Sequence, residues 1–123
     1  MTYIDNKDGT ITDTLTGLMW QKDTLSTMSY DNAVLSCSKL DLAGHRDWRL
    51  PTIKELCSLV DYHRCDPACH VDLVDITRSG FYWSSTRHQY WEGYAWGVGF
   101  YLGIVGVEPM QTEGAVRAVR ILK

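Results

Sequence analysis

Nine of the chain's 14 aromatic residues fall between Phe81 and Tyr101, and between His88 and Val107 the only charged side chain is Glu92. Seven of its ten glycines lie between Gly80 and Gly114. A segment this rich in Trp, Tyr and Gly, and this poor in charge, favours strands and tight turns. Aromatic side chains fill a pleated, half-buried surface, and glycine supplies the backbone angles that turns require. Helix signals are left to the charged first half.

The pattern divides into elements. Asp8-Gly9 is a turn signal ahead of Thr10-Ile11-Thr12-Asp13, and Thr16-Gly17 is a second turn ahead of Leu18-Met19-Trp20, so the start reads as a hairpin. Ser29 can cap a helix running to about Leu40, with Ala33, Cys37 and Leu40 at helical spacing. Pro51 precedes Thr52-x-x-Glu55, a capping box in which hydroxyl and carboxylate satisfy orphan backbone N–H groups reciprocally. That helix is expected to stop near Asp61, with Ile53, Leu56, Leu59 and Val60 on one stripe. Residues 61–80 read as an irregular connection. Strands are expected over Phe81–Ser85, Tyr94–Tyr101, Ile104–Val107 and Val116–Leu122. Two helices followed by antiparallel strands give an α+β domain, and 123 residues suffice to bury a core as one domain, 1–123.

Charge and hydropathy remove several function classes. A net charge of −3 argues against nucleic acid as the main partner, since duplex binding usually needs a basic face. No apolar run approaches the length of a membrane-spanning helix. The opening Met-Thr-Tyr-Ile-Asp lacks a basic and then apolar leader, so no signal peptide is expected in this stretch.

At Trp48-Arg49-Leu50-Pro51-Thr52-Ile53-Lys54-Glu55-Leu56 the chain resembles the family named after the C-terminal domain of the Legionella collagen-like adhesin, the Lcl C-terminal domain. Further matches follow in order: Asp8 to Asp13, Thr16 to Gln21, Tyr82-Trp83-Ser84-Ser85-Thr86, Ala95-Trp96, and Val116 to Arg120. The resemblance implies a relative of the C-type-lectin and formylglycine-generating-enzyme folds. It also implies a secreted or cell-surface setting and a role as a binding module; the named member is an adhesin domain that binds sulfated glycans and forms trimers. Three features depart from that pattern. Members often carry Cys where this chain has Ala118, which leaves Cys37 without the partner the resemblance implies. The acidic balance disfavours polyanions. Glu108-Pro109-Met110 matches the calcium-lectin Glu-Pro-Asn motif poorly and lies after Trp83-Ser84-Ser85, the wrong order for that mechanism.

The four cysteines, Cys37, Cys57, Cys65 and Cys69, are an even number in a small domain and point to disulfides. Cys65–Cys69 is the first expectation, with Cys57–Cys65 or Cys57–Cys69 as rivals and Cys37 either a buried thiol or paired with Cys57. Zinc on Cys57, Cys65, Cys69 and His63 or His70 is an alternative, although the spacing fits no familiar finger or ribbon. Calcium on Asp61, Asp66, Asp72 and Asp75 is another, set against the plainer reading of these residues as turn caps. Catalysis has little support. Ser84-Ser85, His88 and Glu92 form no nucleophile elbow or triad pattern, and with no cysteine after Cys69 the paired late cysteines of formylglycine-generating oxidases are missing. The chain is read as non-enzymatic, with no cofactor.

The aromatic residues divide into framework and remainder. Trp20, Trp48, Trp83 and Trp96 are expected in the framework, braced by Arg49, Arg117 and Arg120. Arg87, His88, Gln89, Tyr90, Trp91, Glu92 and Tyr94 lie between strands, where exposed aromatics are costly without a purpose and where binding residues concentrate. Stacking by Tyr90, Trp91 and Tyr94, with hydrogen bonds from Arg87, His88, Gln89 and Glu92, is the expected means of binding a glycan or protein surface. The rival use of the same aromatics is a homotrimer interface.

Overall fold

A computed structural model describes residues 3–70, 72–73 and 77–122. Among the described residues there are nine strands and two short helices. β1 (Tyr3–Asp5), β2 (Thr10–Asp13), β3 (Leu18–Gln21) and β4 (Leu25–Met28) precede α1 (Tyr30–Ser38) and α2 (Ile53–Cys57). β5 (Phe81–Arg87), β6 (Tyr94–Gly99), β7 (Ile104–Pro109), β8 (Gly114–Val116) and β9 (Val119–Ile121) follow. The architecture is α+β and mostly strand.

Two sheets are formed among the described residues. The first has the order β1-β2-β3-β9 and the second β4-β8-β5-β6-β7. All pairs are antiparallel except β5–β8, which meet in parallel at Tyr82 and Ala115. The N-terminal hairpin expected from Thr16-Gly17 is present as β2–β3, with Gly17 at φ +73° in the turn. Side chains alternate faces along a strand, and β5 uses both. Tyr82 enters one buried cluster with Trp20, Leu56, Leu59, Val98 and Phe100, while Trp83 enters a second with Tyr30, Cys37, Trp48, Leu50 and Ala95. The Trp83 indole N–H is satisfied by the Met28 carbonyl at 2.9 Å. β5 is thus covered on both faces and forms the centre on which the later loops are mounted.

The expected strand from Val116 to Leu122 is instead two strands in different sheets, with the chain crossing between them at Arg117 and Ala118. Arg117 makes that crossing inside the protein. Its guanidinium donates to Thr77 Oγ1 at 3.0 Å, and to Thr24 Oγ1 and the Lys22 carbonyl at 3.2 Å each, while lying 5.8 Å from the centre of the Tyr82 ring. Burial holds its pKa below the ordinary arginine value. β4 was not expected at all, since Leu25-Ser26-Thr27-Met28 is short and half polar; its pairing with β8 makes it a strand.

α2 has the expected capping box: Thr52 Oγ1 accepts from the Glu55 N–H at 3.2 Å and Glu55 Oε1 accepts from the Thr52 N–H at 2.9 Å. The helix ends at Cys57 rather than near Asp61. Bonds of the i→i+3 type from Ser58, Leu59 and Val60 tighten its last turn, and Val60 then pairs with Cys69.

All four cysteines are free thiols, so none of the expected bridges is formed. Cys37 and Cys69 are buried in different clusters, Cys57 packs at the edge of the Cys69 cluster, and Cys65 faces solvent. Hydrogen bonds from the Asp66 and Ala68 N–H groups to the Tyr101 and Phe100 carbonyls fix the loop with Cys65 outward and Cys69 inward. The acidic loop behaves as a set of turns. Asp61 Oδ1 accepts from the His63 N–H at 2.9 Å, Asp66 bonds Ser79, and Asp72 lies 3.5 Å from His70 Nδ1; Asp75 lies outside the described residues. Among the described residues no three His, Cys, Asp or Glu side chains are grouped to hold a metal ion.

Candidate functional site

The site is built outward from an irregularity in β5. Its register against β6 shifts between Trp83 and Arg87. The groups this releases are taken up locally: Ser84 Oγ donates to the Trp96 carbonyl at 2.6 Å and accepts from the Thr86 N–H at 3.2 Å. Ser85 N–H reaches the Pro51 carbonyl at 2.7 Å, the Ser85 carbonyl accepts from the Tyr30 hydroxyl at 2.9 Å, and Thr86 Oγ1 accepts from the Ile53 N–H at 3.0 Å. The bulge therefore ties both helix regions to the end of β5. The Ser84-Ser85-Thr86 run is the sequence trace of this arrangement, as small hydroxyls can serve backbone groups at a bulge.

Beyond it, the loop 88–93 is organised around the His88 imidazole. The His88 N–H bonds the Tyr94 carbonyl at 2.9 Å, closing the loop at its base. His88 Nδ1 accepts from the Tyr90 N–H at 3.2 Å and the Trp91 N–H at 3.0 Å. An acceptor nitrogen carries no proton, so these two bonds assign the ring hydrogen to Nε2. The ring also stacks on Trp91, at 4.7 Å and 13° between planes, and on Trp96, at 5.4 Å and 20°. Tyr94 meets Trp91 edge-on at 5.8 Å. Gly93, at φ +79°, turns the chain into β6, and its carbonyl accepts from the Met110 N–H at 2.7 Å.

Of the seven residues singled out in the sequence, Arg87, His88, Trp91, Glu92 and Tyr94 line one cleft of about 380 Å³, completed by Gly93 and Met110. Gln89 and Tyr90 stand outside it at the loop tip, Tyr90 80% exposed and Trp91 56% exposed. Arg87 lies 5.6 Å from the centre of the Tyr30 ring. Two members of the site were not anticipated. Trp96, expected in the framework, is only half-buried and joins the ring stack. Met110 arrives from the turn after β7, and only the long-range β6–β7 pairing brings it near. The other three framework tryptophans, Trp20, Trp48 and Trp83, are buried.

A larger cleft, about 570 Å³, lies elsewhere, between the β2–β3 turn and the segment after α2. Its lips include the exposed Leu15 and Tyr62. Its carboxylates are already engaged: Asp13 accepts from the Leu15 N–H and the Thr16 hydroxyl, and Asp61 from the His63 N–H. Arg87 and Glu92 in the smaller cleft form no ion pair among the described residues. The smaller cleft sets polar side chains beside exposed aromatic surface, the combination that fixes a ligand's orientation in a binding site.

Compared with known protein families, residues 9–120 match the Lcl C-terminal domain. The chain belongs to that family. No curated protein matches it. The match runs from β2 into β9 and takes in both helices and the aromatic loop of this Lcl C-terminal domain, with β1 lying before it. Ala118 and Cys37 sit in the same buried cluster, where the family resemblance implied a pair of cysteines. No helix among the described residues is long and apolar enough to cross a membrane.

Proposed function

We propose that this Lcl C-terminal domain is a non-catalytic recognition module of adhesin type, with a C-type-lectin-like fold, in a secreted or cell-surface protein. It binds a glycan or protein ligand through the loop from Arg87 to Tyr94. One observation carries the reading. Tyr90 and Trp91 are exposed on a loop whose backbone is held at both ends and at its centre by hydrogen bonds. Large aromatic area on a preorganised loop lowers the entropy lost on binding, whereas the same area on a free surface only invites aggregation. Binding to arrayed glycans and host surface proteins, with Trp91→Ala as control, tests it. Binding lost in the variant supports the reading, and binding unaffected by the substitution sinks it.

A second reading, assembly with further copies of the chain, is favoured by β7. Among the described residues this edge strand pairs only with β6, and it exposes Ile104 and Val105, 61% and 39% accessible, at the end away from its edge-protecting Glu108 and Pro109. Sizing of Val105→Lys beside Trp91→Ala separates the two: assembly through the edge dissociates with the first variant and survives the second.

A further inference from the structure

We propose, resting on the recognition reading above, that the cleft beside Trp91 takes an uncharged sugar ring, with Trp91 as the platform and Arg87 and Glu92 as its hydrogen-bonding pair. His88 stacks on the Trp91 indole and Tyr94 meets it edge-on, yet more than half of the residue remains accessible, which leaves apolar ring surface for a ligand. A pyranose offers a flat C–H face to such a surface and a rim of hydroxyls, each of which both donates and accepts. The cleft supplies the complement. A guanidinium only donates and an ionised carboxylate only accepts; Arg87 and Glu92 both line the cleft and neither is paired with an opposite charge among the described residues.

Charge decides against an acidic sugar. One cation and one anion cancel at the site, and the chain as a whole carries −3. A sulfate or carboxylate would gain Arg87 while meeting Glu92 and an overall negative field, whereas a neutral ring uses both side chains at no electrostatic cost. Size agrees: about 380 Å³ is near the low end of small-molecule sites and suits one or two rings. His88 is the positioning residue. Its two backbone bonds and two stacking contacts set the plane of the indole before any ligand arrives.

The test is a titration followed by tryptophan fluorescence and saturation-transfer NMR. The probes are methyl α- and β-glycosides of glucose, galactose, mannose and N-acetylglucosamine, with a heparin oligosaccharide as the anionic probe. The expected result is saturable binding of at least one neutral glycoside, no weaker than that of heparin. It falls at least roughly tenfold in Trp91→Ala, is largely kept in Trp91→Phe, and weakens in both Arg87→Gln and Glu92→Gln. His88→Asn keeps an acceptor for the loop N–H groups and is expected to retain more binding than His88→Phe, which keeps only the stacking. Heparin binding tenfold tighter than every neutral glycoside overturns the proposal, as does the failure of all of them to bind. If none binds while an arrayed partner is still lost in Trp91→Ala, the ligand class is wrong and the recognition reading stands. Neutral-sugar binding indifferent to Trp91→Ala removes both.

Discussion

Arg49 and Glu55 are joined by two parallel hydrogen bonds, Nη1 to Oε1 at 2.7 Å and Nη2 to Oε2 at 2.8 Å, and the same Oε1 accepts the Thr52 N–H that starts α2. One half-buried carboxylate thus caps a helix and anchors the Trp48-Arg49-Leu50-Pro51 segment, whose Arg49 backbone pairs in turn with Val119. The Arg49 guanidinium, above all, holds the Glu55 carboxyl below its ordinary value of 4.5. A carboxyl lowered in the folded state stabilises the fold fully above its unfolded pKa, and that contribution disappears as pH falls through the lowered value. Glu55→Gln is expected to cost about 1–2 kcal/mol at neutral pH, from the cap and the charge-assisted pair together. In thermal melts from pH 7 to pH 3 the variant is expected to lose less stability below about pH 4.5 than the parent chain. Equal slopes would show that Glu55 does not carry this titration.

Elements with a local cause were legible in the sequence and those with a long-range cause were not. The capping box at Thr52 and Glu55 and the turn at Gly17 are set by residues a few positions apart, and both are found as read. β4 and the division of the last strand at Arg117-Ala118 depend on pairing with segments more than 50 residues away, which leaves no local trace. In the site, the excess of exposed aromatics at Tyr90 and Trp91 was visible as composition. Trp96 was misplaced because a strand's alternation shows that Ala95 and Trp96 face opposite ways without showing which way is in. The buried partners proved to be the small residues Ala95 and Gly97. The cysteines misled because an even count says nothing of which thiols face each other.

Gly97 is required by close packing. A Cβ there would collide with the Tyr82 carbonyl and the Phe81 ring, whereas one on Gly106, its partner on β7, would meet nothing within 4 Å. Gly97→Ala is expected to destabilise by about 3 kcal/mol, at the upper end for overpacking a core, and Gly106→Ala to stay within about 0.5 kcal/mol. Urea unfolding of the pair checks this. Similar midpoints for the two would mean that Phe81 yields to the methyl group.

The thiols are expected to differ sharply in reactivity. Burial pushes Cys37 up to about 12 and also raises Cys57 and Cys69, while Cys65 lies in the open. The thiolate is the reacting species, so iodoacetamide at pH 8 is expected to alkylate Cys65 first and Cys57 after it, with Cys37 and Cys69 slower by more than roughly tenfold until denaturant is added. Peptide mass spectrometry resolves the four sites. Early loss of Cys37 would contradict its placement beside Trp48 and Trp83.

Trp83 and Trp91 are the sharpest test of the division between framework and site. Trp83 is fully buried, bonded through its indole N–H to Met28 and set edge-on against both Tyr30 and Phe81. Its truncation leaves a large cavity and an orphaned carbonyl, so Trp83→Ala is expected to cost about 3–5 kcal/mol or to prevent folding. Trp91 stacks only on His88 and touches Tyr94 edge-on, with most of the residue in water. Trp91→Ala is expected to cost less than about 1 kcal/mol, the order of one exposed aromatic pair. Denaturant midpoints measured alongside far-UV circular dichroism distinguish the two. If Trp91→Ala proves as destabilising as Trp83→Ala, the loop is part of the core's support, and its exposed rings then need no ligand to explain them.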